Sequence, residues 1–152
     1  MKTIALRFSD SFATAAGTIA EHKKLIEKDG YVWYGKLGAS VSDRICKELL
    51  ETSEPRILLI HSGKSASYWA YIDKVSKEVP PLENIPEYYR DQAKIFRTWF
   101  RVKRIEEAEK NVMSMCTVAS SGASLSVTSR SSMSPYFIID YAEGENNVRT
   151  VE

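Results

Sequence analysis

The sequence predicts an α+β domain, a barrel or curled sheet with short helices, on three observations. Short segments of strand-like alternation recur along the chain, helical stretches interleave with them, and several neighbouring strands are spaced as hairpins. A length of 152 residues fits one domain, large enough to bury roughly two-thirds of the surface its unfolded chain exposes.

Thr3 to Phe8 alternates and reads as a first strand, followed by a loop from Asp10 to Gly17. Thr18 with Glu21 has the spacing of a capping box and opens a helix through Ile19, His22, Leu25 and Ile26. Gly30, just past Asp29, is placed to end it in a left-handed conformation. Tyr31 to Tyr34 is a short aromatic strand that Gly35 terminates. Ser40 or Ser42 caps a second helix, with Val41, Ile45 and Leu49 as its stripe and Cys46 and Leu50 alongside. After Pro55, the segment Arg56 to His61 is apolar without alternation, as in a central strand covered on both faces. Ser62 to Ser65 is a turn and Tyr68 to Ile72 its hairpin partner. Pro80, Pro81 and Pro86 mark a loop with a short helix at Glu87 to Arg90. A strand then runs from Lys94 to Arg104. Glu106 to Lys110 is a polar loop or helical turn, Ala119 to Ser134 is serine-rich, and Tyr136 to Tyr141 is the last strand. Residues 143–152 read as a polar tail or linker.

With 43% hydrophobic and 27% charged residues, the composition is that of an ordinary globular domain. The net charge of +1 supplies no global basic field, so any contact with nucleic acid must come from a local, salt-sensitive patch. Cys46 and Cys116 lack metal spacing and read as buried thiols, in keeping with a reducing cytoplasm. No apolar run has the length a membrane helix needs, and no membrane partner is expected. Gly63-Lys64-Ser65 lacks the upstream glycine of a phosphate loop, since Leu58 stands there. His22 and His61 have no catalytic pattern around them, and neither a metal site nor a cofactor is expected.

The most informative segment lies in the Lys94–Arg104 strand. Side chains two apart share a strand face, so Arg97, Trp99, Arg101 and Lys103 line up opposite Phe96, Thr98, Phe100 and Val102. An indole between two guanidinium groups suits stacking on a base while neutralising phosphate. Trp33, Tyr34, Trp69, Tyr71 and Trp99 could wall a base pocket, although aromatics on half-buried strands also serve as core. Ser129, Ser131 and Ser132 surround Arg130, a set suited to a phosphate or a base edge, with Tyr136 placed to close the site.

Thr18 to His22 leading into Gly30 to Gly35, the strand from Thr98 to Ile105, and Ser132 to Phe137 together resemble a PUA-like domain of the EVE, ASCH and YTH type, similar to the modified-base readers of restriction systems. The resemblance implies a curved mixed sheet or pseudo-barrel with short helices at its rim, spanning residues 1–142 as one EVE-like domain. It also implies RNA or DNA as ligand, in several relatives a modified base in an aromatic pocket. No family binding residue carries over one by one.

The expectation is a non-catalytic nucleic-acid-binding module. Trp33, Trp69, Trp99 and Tyr136 would stack a modified or flipped base, while Arg97, Arg101, Arg130, Ser129, Ser131 and Ser132 would hold phosphates or base edges. The alternatives are a protein-interaction or regulatory domain and a small nucleotide-directed enzyme. A larger chain or effector domain is a further expected partner.

Overall fold

The computed structural model describes residues 2–11, 13–62, 66–132, 134 and 136–142, without the side chain of Ser131. The expected tail at 143–152 and the turn at 63–65 lie outside the described residues. In chain order the elements are β1 (Lys2–Phe8), α1 (Thr18–Asp29), β2 (Val32–Lys36), α2 (Asp43–Leu50), β3 (Arg56–His61) and β4 (Ser67–Ser76). Short 3-10 segments at Leu82–Asn84 and Glu87–Ile95 lead to β5 (Thr98–Glu107). A third at Val112–Met115 precedes β6 (Cys116–Val118), α3 (Leu125–Ser131) and β7 (Tyr136–Tyr141).

The seven strands form one mixed sheet in the order β2-β5-β4-β3-β1-β7-β6. It is a curved sheet that does not close into a barrel, with β2 and β6 as its edges. Every pairing is antiparallel except β1 with β3, which run parallel and bring Phe8 opposite His61. Parallel neighbours need a long crossover, and here it is the whole stretch α1-β2-α2.

Alternation distributes the core to two sides. Ile4, Leu6, Ile57, Leu59, Ile72, Phe100 and Val102 face one side, where Ile19, Leu25 and Ile26 of α1 and Ile45 and Leu49 of α2 cover them. Ala5, Leu58, Ile60, Trp69, Phe137 and Ile139 face the other, against Leu125 of α3 and Val112. All six residues of β3 are buried, as its unbroken apolar pattern predicts. No helix among the described residues is long and apolar enough to cross a membrane.

Helix ends follow local chemistry, with one difference from expectation. Gly30 closes α1 at φ 86°, and the Ser42 hydroxyl accepts the Ile45 N–H at 3.3 Å to cap α2. Thr18, however, is the first helical residue of α1, not its cap. Gly17 occupies the cap position without a side chain, and Asp10 takes over by accepting the Thr18 N–H at 2.9 Å. Glu21 pairs with Lys24 instead of reaching back.

Strand limits also differ from expectation. β5 starts at Thr98 because Glu87–Ile95 winds as 3-10 helix, and it continues through Glu106 and Glu107, which read as a loop or helical turn from sequence. β2 passes through Gly35 to Lys36 and does not stop at the glycine. Gly35 lies directly opposite Trp99 in the ladder, and a Cβ there would come within 2.8 Å of an indole carbon and 3.0 Å of Phe96. The serine-rich segment, unassigned from sequence, contains α3.

Gly35→Ala should therefore overpack a rigid contact and cost about 1–3 kcal/mol. Scanning calorimetry should show the thermal midpoint falling by several degrees, at roughly 2–4 °C per kcal/mol for a chain of this size. An unchanged midpoint would mean that the indole is free to move away.

Candidate functional site

The indoles singled out from sequence do not meet at a surface. Trp99 does share a strand face with Arg101, but it is 0% exposed, sealed beneath Ile85, Tyr89 and Ala93. Its expected outward orientation is corrected by the 3-10 segment, which folds back over that end of the sheet. Trp69 is also buried, and the guanidinium that stacks on it, 4.2 Å from its centroid, is the protein's own Arg56. Trp33 is half-buried against the Tyr89 cluster. Tyr136 is half-buried, with Lys36 Nζ 5.0 Å from its ring centroid.

The cations divide similarly. Arg97 is exposed and lines neither cavity described below. Arg101 is held by Asp73 through two hydrogen bonds of 2.7 and 2.9 Å. Arg130 and Ser129 do share a cavity, whereas Ser132 contributes its carbonyl to Arg7 at 2.6 Å. The side chain of Ser131 lies outside the described residues.

A different set of aromatics forms a pocket. Phe8 from the end of β1, His22 from α1, Tyr34 and Gly35 from β2, Tyr88 and Tyr89 from the 3-10 segment and Phe96 after it wall a cavity of about 280 Å³. Tyr89 links the rings of this wall. Its ring meets Tyr88 and Phe96 edge-on at 4.8 and 5.2 Å, and it lies nearly parallel to Trp99 at 6.2 Å. Leu37 and Ile95, each more than half exposed, also line the pocket. Gln92, Ser9, Ser62 and Arg7 are the other polar or charged contributors beside Thr18.

Hydrogen bonding fixes this wall. His22 Nδ1 lies 2.8 Å from the Thr18 carbonyl, so that nitrogen carries the hydrogen. Nε2 then accepts from the Tyr89 hydroxyl at 3.0 Å, with the Trp33 carbonyl 3.3 Å from the same oxygen. Burial drives the His22 pKa down to about 4, so the ring is neutral at physiological pH. Burial also raises the phenols of Tyr34, Tyr88 and Tyr89, keeping the wall uncharged. The Tyr34 hydroxyl and the Gln92 amide have no hydrogen-bond partner among the described residues, so both remain available to a ligand.

Beside this pocket lies a broader hollow of about 670 Å³, lined by Arg7, His61, Ser62, Lys110, Asn111, Ser114, Ser126, Ser129 and Arg130 with Ile60 and Met113 at its base. The two cavities share Arg7 and Ser62. His61 lines the hollow beside the Asp10 carboxylate. Its Nε2 meets Asp10 Oδ2 at 2.6 Å and its Nδ1 meets the Ser62 carbonyl at 3.0 Å, both acceptors. The Asp10 pKa is lowered first by the Thr18 N–H and then by the hydrogen bond from His61. Among the described residues no group of His, Cys, Asp or Glu could hold a metal ion.

Sequence reasoning missed Phe8, Tyr88, Tyr89, Phe96 and Arg7 as site residues. The signal for two of them was the Tyr88-Tyr89 pair in the proline-bounded segment, a costly thing to leave on a loop unless it packs or binds. The sequence model of the Pua-like family matches residues 4–151. No curated protein and no solved structure gives a significant match.

The buried neutral His22 makes stability depend on pH. Because its folded-state value is depressed, the unfolded chain takes up the proton more readily between about 6.5 and about 4. Its contribution is complete above that window and lost as pH falls through it, up to about 3 kcal/mol. Urea denaturation from pH 7 to pH 4 should show this decline, and His22→Gln, which can keep both hydrogen bonds without titrating, should flatten it. Equal slopes for the two proteins would refute the assignment.

Proposed function

The chain belongs to the Pua-like family, and on that premise we propose that it is a non-catalytic nucleic-acid-binding module that takes one nucleobase into the aromatic cavity. Members of the family commonly bind RNA and other nucleic acids. The observation that carries the reading is the cavity itself, walled by Phe8, Tyr34, Tyr88, Tyr89 and Phe96 and by a neutral imidazole. Its volume of about 280 Å³ lies just under the roughly 300–1,000 Å³ of sites for drug-sized ligands, which suits one ring system and not a dinucleotide. Stacking against such walls is worth about 1–3 kcal/mol per base. The free Tyr34 hydroxyl and Gln92 amide are suited to reading the polar edge of the ring.

The base must leave its stack to enter, which favours single-stranded segments or a base already weakened in its pairing. Predominantly apolar walls tolerate an added methyl group, so a modified base, in DNA or RNA, is part of the proposal. The free, buried Cys46 and Cys116 fit residence in a reducing cytoplasm. Attachment to an effector domain in a longer chain fits a module without chemistry of its own.

Fluorescence titration at fixed ionic strength with unmodified, methylated and hydroxymethylated oligonucleotides tests the reading. The protein should bind at least one class of strand. Tyr88→Ala should weaken that binding roughly 5- to 150-fold, the equivalent of one lost stacking wall. Leu37→Glu, a change at an exposed position of the rim, should weaken it by about tenfold or more through repulsion of the strand. Absence of binding to every strand, or full binding by both variants, would defeat the proposal.

A further inference from the structure

We propose that the serine-lined hollow is an anion subsite, occupied by a backbone phosphodiester of the same strand whose base enters the aromatic cavity. This rests on the base-binding reading above and adds a second contact region to it. The first argument is charge. The net charge is only +1, and four of the described lysines and arginines are paired with carboxylates. Asp73 holds Arg101, Glu54 and Glu106 flank Arg104, Glu21 takes Lys24 and Asp43 faces Lys77. Lys110 and Arg130 have no carboxylate partner among the described residues, and Arg7 is held by carbonyl oxygens of Ser129 and Ser132. These three cations come from separate elements and converge on one hollow whose lining, among the described residues, includes no acidic side chain.

The second argument is the type of donor. Among the described residues Arg130 spends only its Nε, on the Ser126 carbonyl at 3.0 Å, which leaves its terminal amino groups to fork onto a phosphate. The Asn111 amide and the hydroxyls of Ser114, Ser126 and Ser129 supply neutral donors between the cations. The third argument is continuity. Arg7 and Ser62 belong to both cavities, so a base in one and its neighbouring phosphate in the other would lie on one path. The hollow is wide, at about 670 Å³, which suits a phosphate held partly through water.

Amide NMR titration with two probes, a short single-stranded oligonucleotide and inorganic phosphate, tests this. The oligonucleotide should shift the amides of Asn111, Ser114, Ser126 and Ser129 together with those of Gly35 and Tyr89. Inorganic phosphate should shift the first group only, and at far higher concentration. Lys110→Gln combined with Arg130→Gln should weaken strand binding about tenfold and reduce its salt slope by roughly 2, about one per lost phosphate contact. Oligonucleotide shifts confined to the aromatic cavity, with affinity and salt slope unchanged in the double variant, would overturn the subsite. Inorganic phosphate binding as tightly as the strand would overturn the diester in favour of a free anion. Shifts at the hollow alone would refute the base reading while upholding the anion subsite.

Discussion

The hydrogen bond between Asp10 and His61 is the contact on which the geometry of both cavities depends. It joins the residues that follow β1 to the last residue of β3, the two strands that run parallel at the centre of the sheet. The second Asp10 oxygen accepts the first helical N–H of α1, where Gly17 offers no side chain. One carboxylate therefore fixes two strand ends and a helix start. Both cavities open beyond those ends, the pocket on Phe8 and Ser9 and the hollow on Ile60 and His61. Both cavities thus lie outside the carboxyl ends of the one parallel strand pair, the place where ligands of open α/β sheets commonly bind.

From that junction the two cavities diverge in character because different elements complete them. The aromatic pocket is closed by α1 and the 3-10 segment, whose side chains are rings and whose one histidine is kept neutral by burial. The hollow is closed by α3 and the turn at Lys110-Asn111, which bring cations and hydroxyls. Arg7 stands between them, its guanidinium over the Phe137 ring and bonded to carbonyls at the end of α3. A helix end carries partial negative charge, so this contact anchors α3 as well as setting a fixed positive charge between the cavities.

Much of this was legible in the sequence because it depends on local periodicity. The unbroken apolar run of β3, the glycine stop of α1 and the serine cap of α2 are each decided within a few residues. Arg130 and Ser129, singled out together from sequence, do line one hollow, because hydroxyls around an arginine seldom serve a core. The pocket was not legible, and the reason is specific. Alternation assigned Trp99 correctly to the face of Arg101, but no period states which end of a face another segment covers. The covering segment, Glu87–Ile95, has the irregular pattern of a kinked 3-10 helix, with Tyr89 at φ −124°. Its packing is decided by contacts distant in sequence, such as Tyr89 with His22.

Burial of Trp99 gives that residue a larger part in the site than exposure would have done. An exposed indole offers one stacking face on a flat strand, open to water on the other side. A buried one supports Tyr89 and Phe96, at 6.2 and 5.4 Å, and so holds two rings upright as walls. Gly35 is what admits the indole that far into the sheet, and it also contributes to the lining of the cavity above. The wall therefore needs a missing side chain and a large one directly opposite each other in the β2–β5 ladder, where Gly35 faces Trp99. Enlarging the first or truncating the second would disturb the same two rings. The segment that drew attention in the sequence thus lies beneath the pocket, its indole packed against the rings that form the wall.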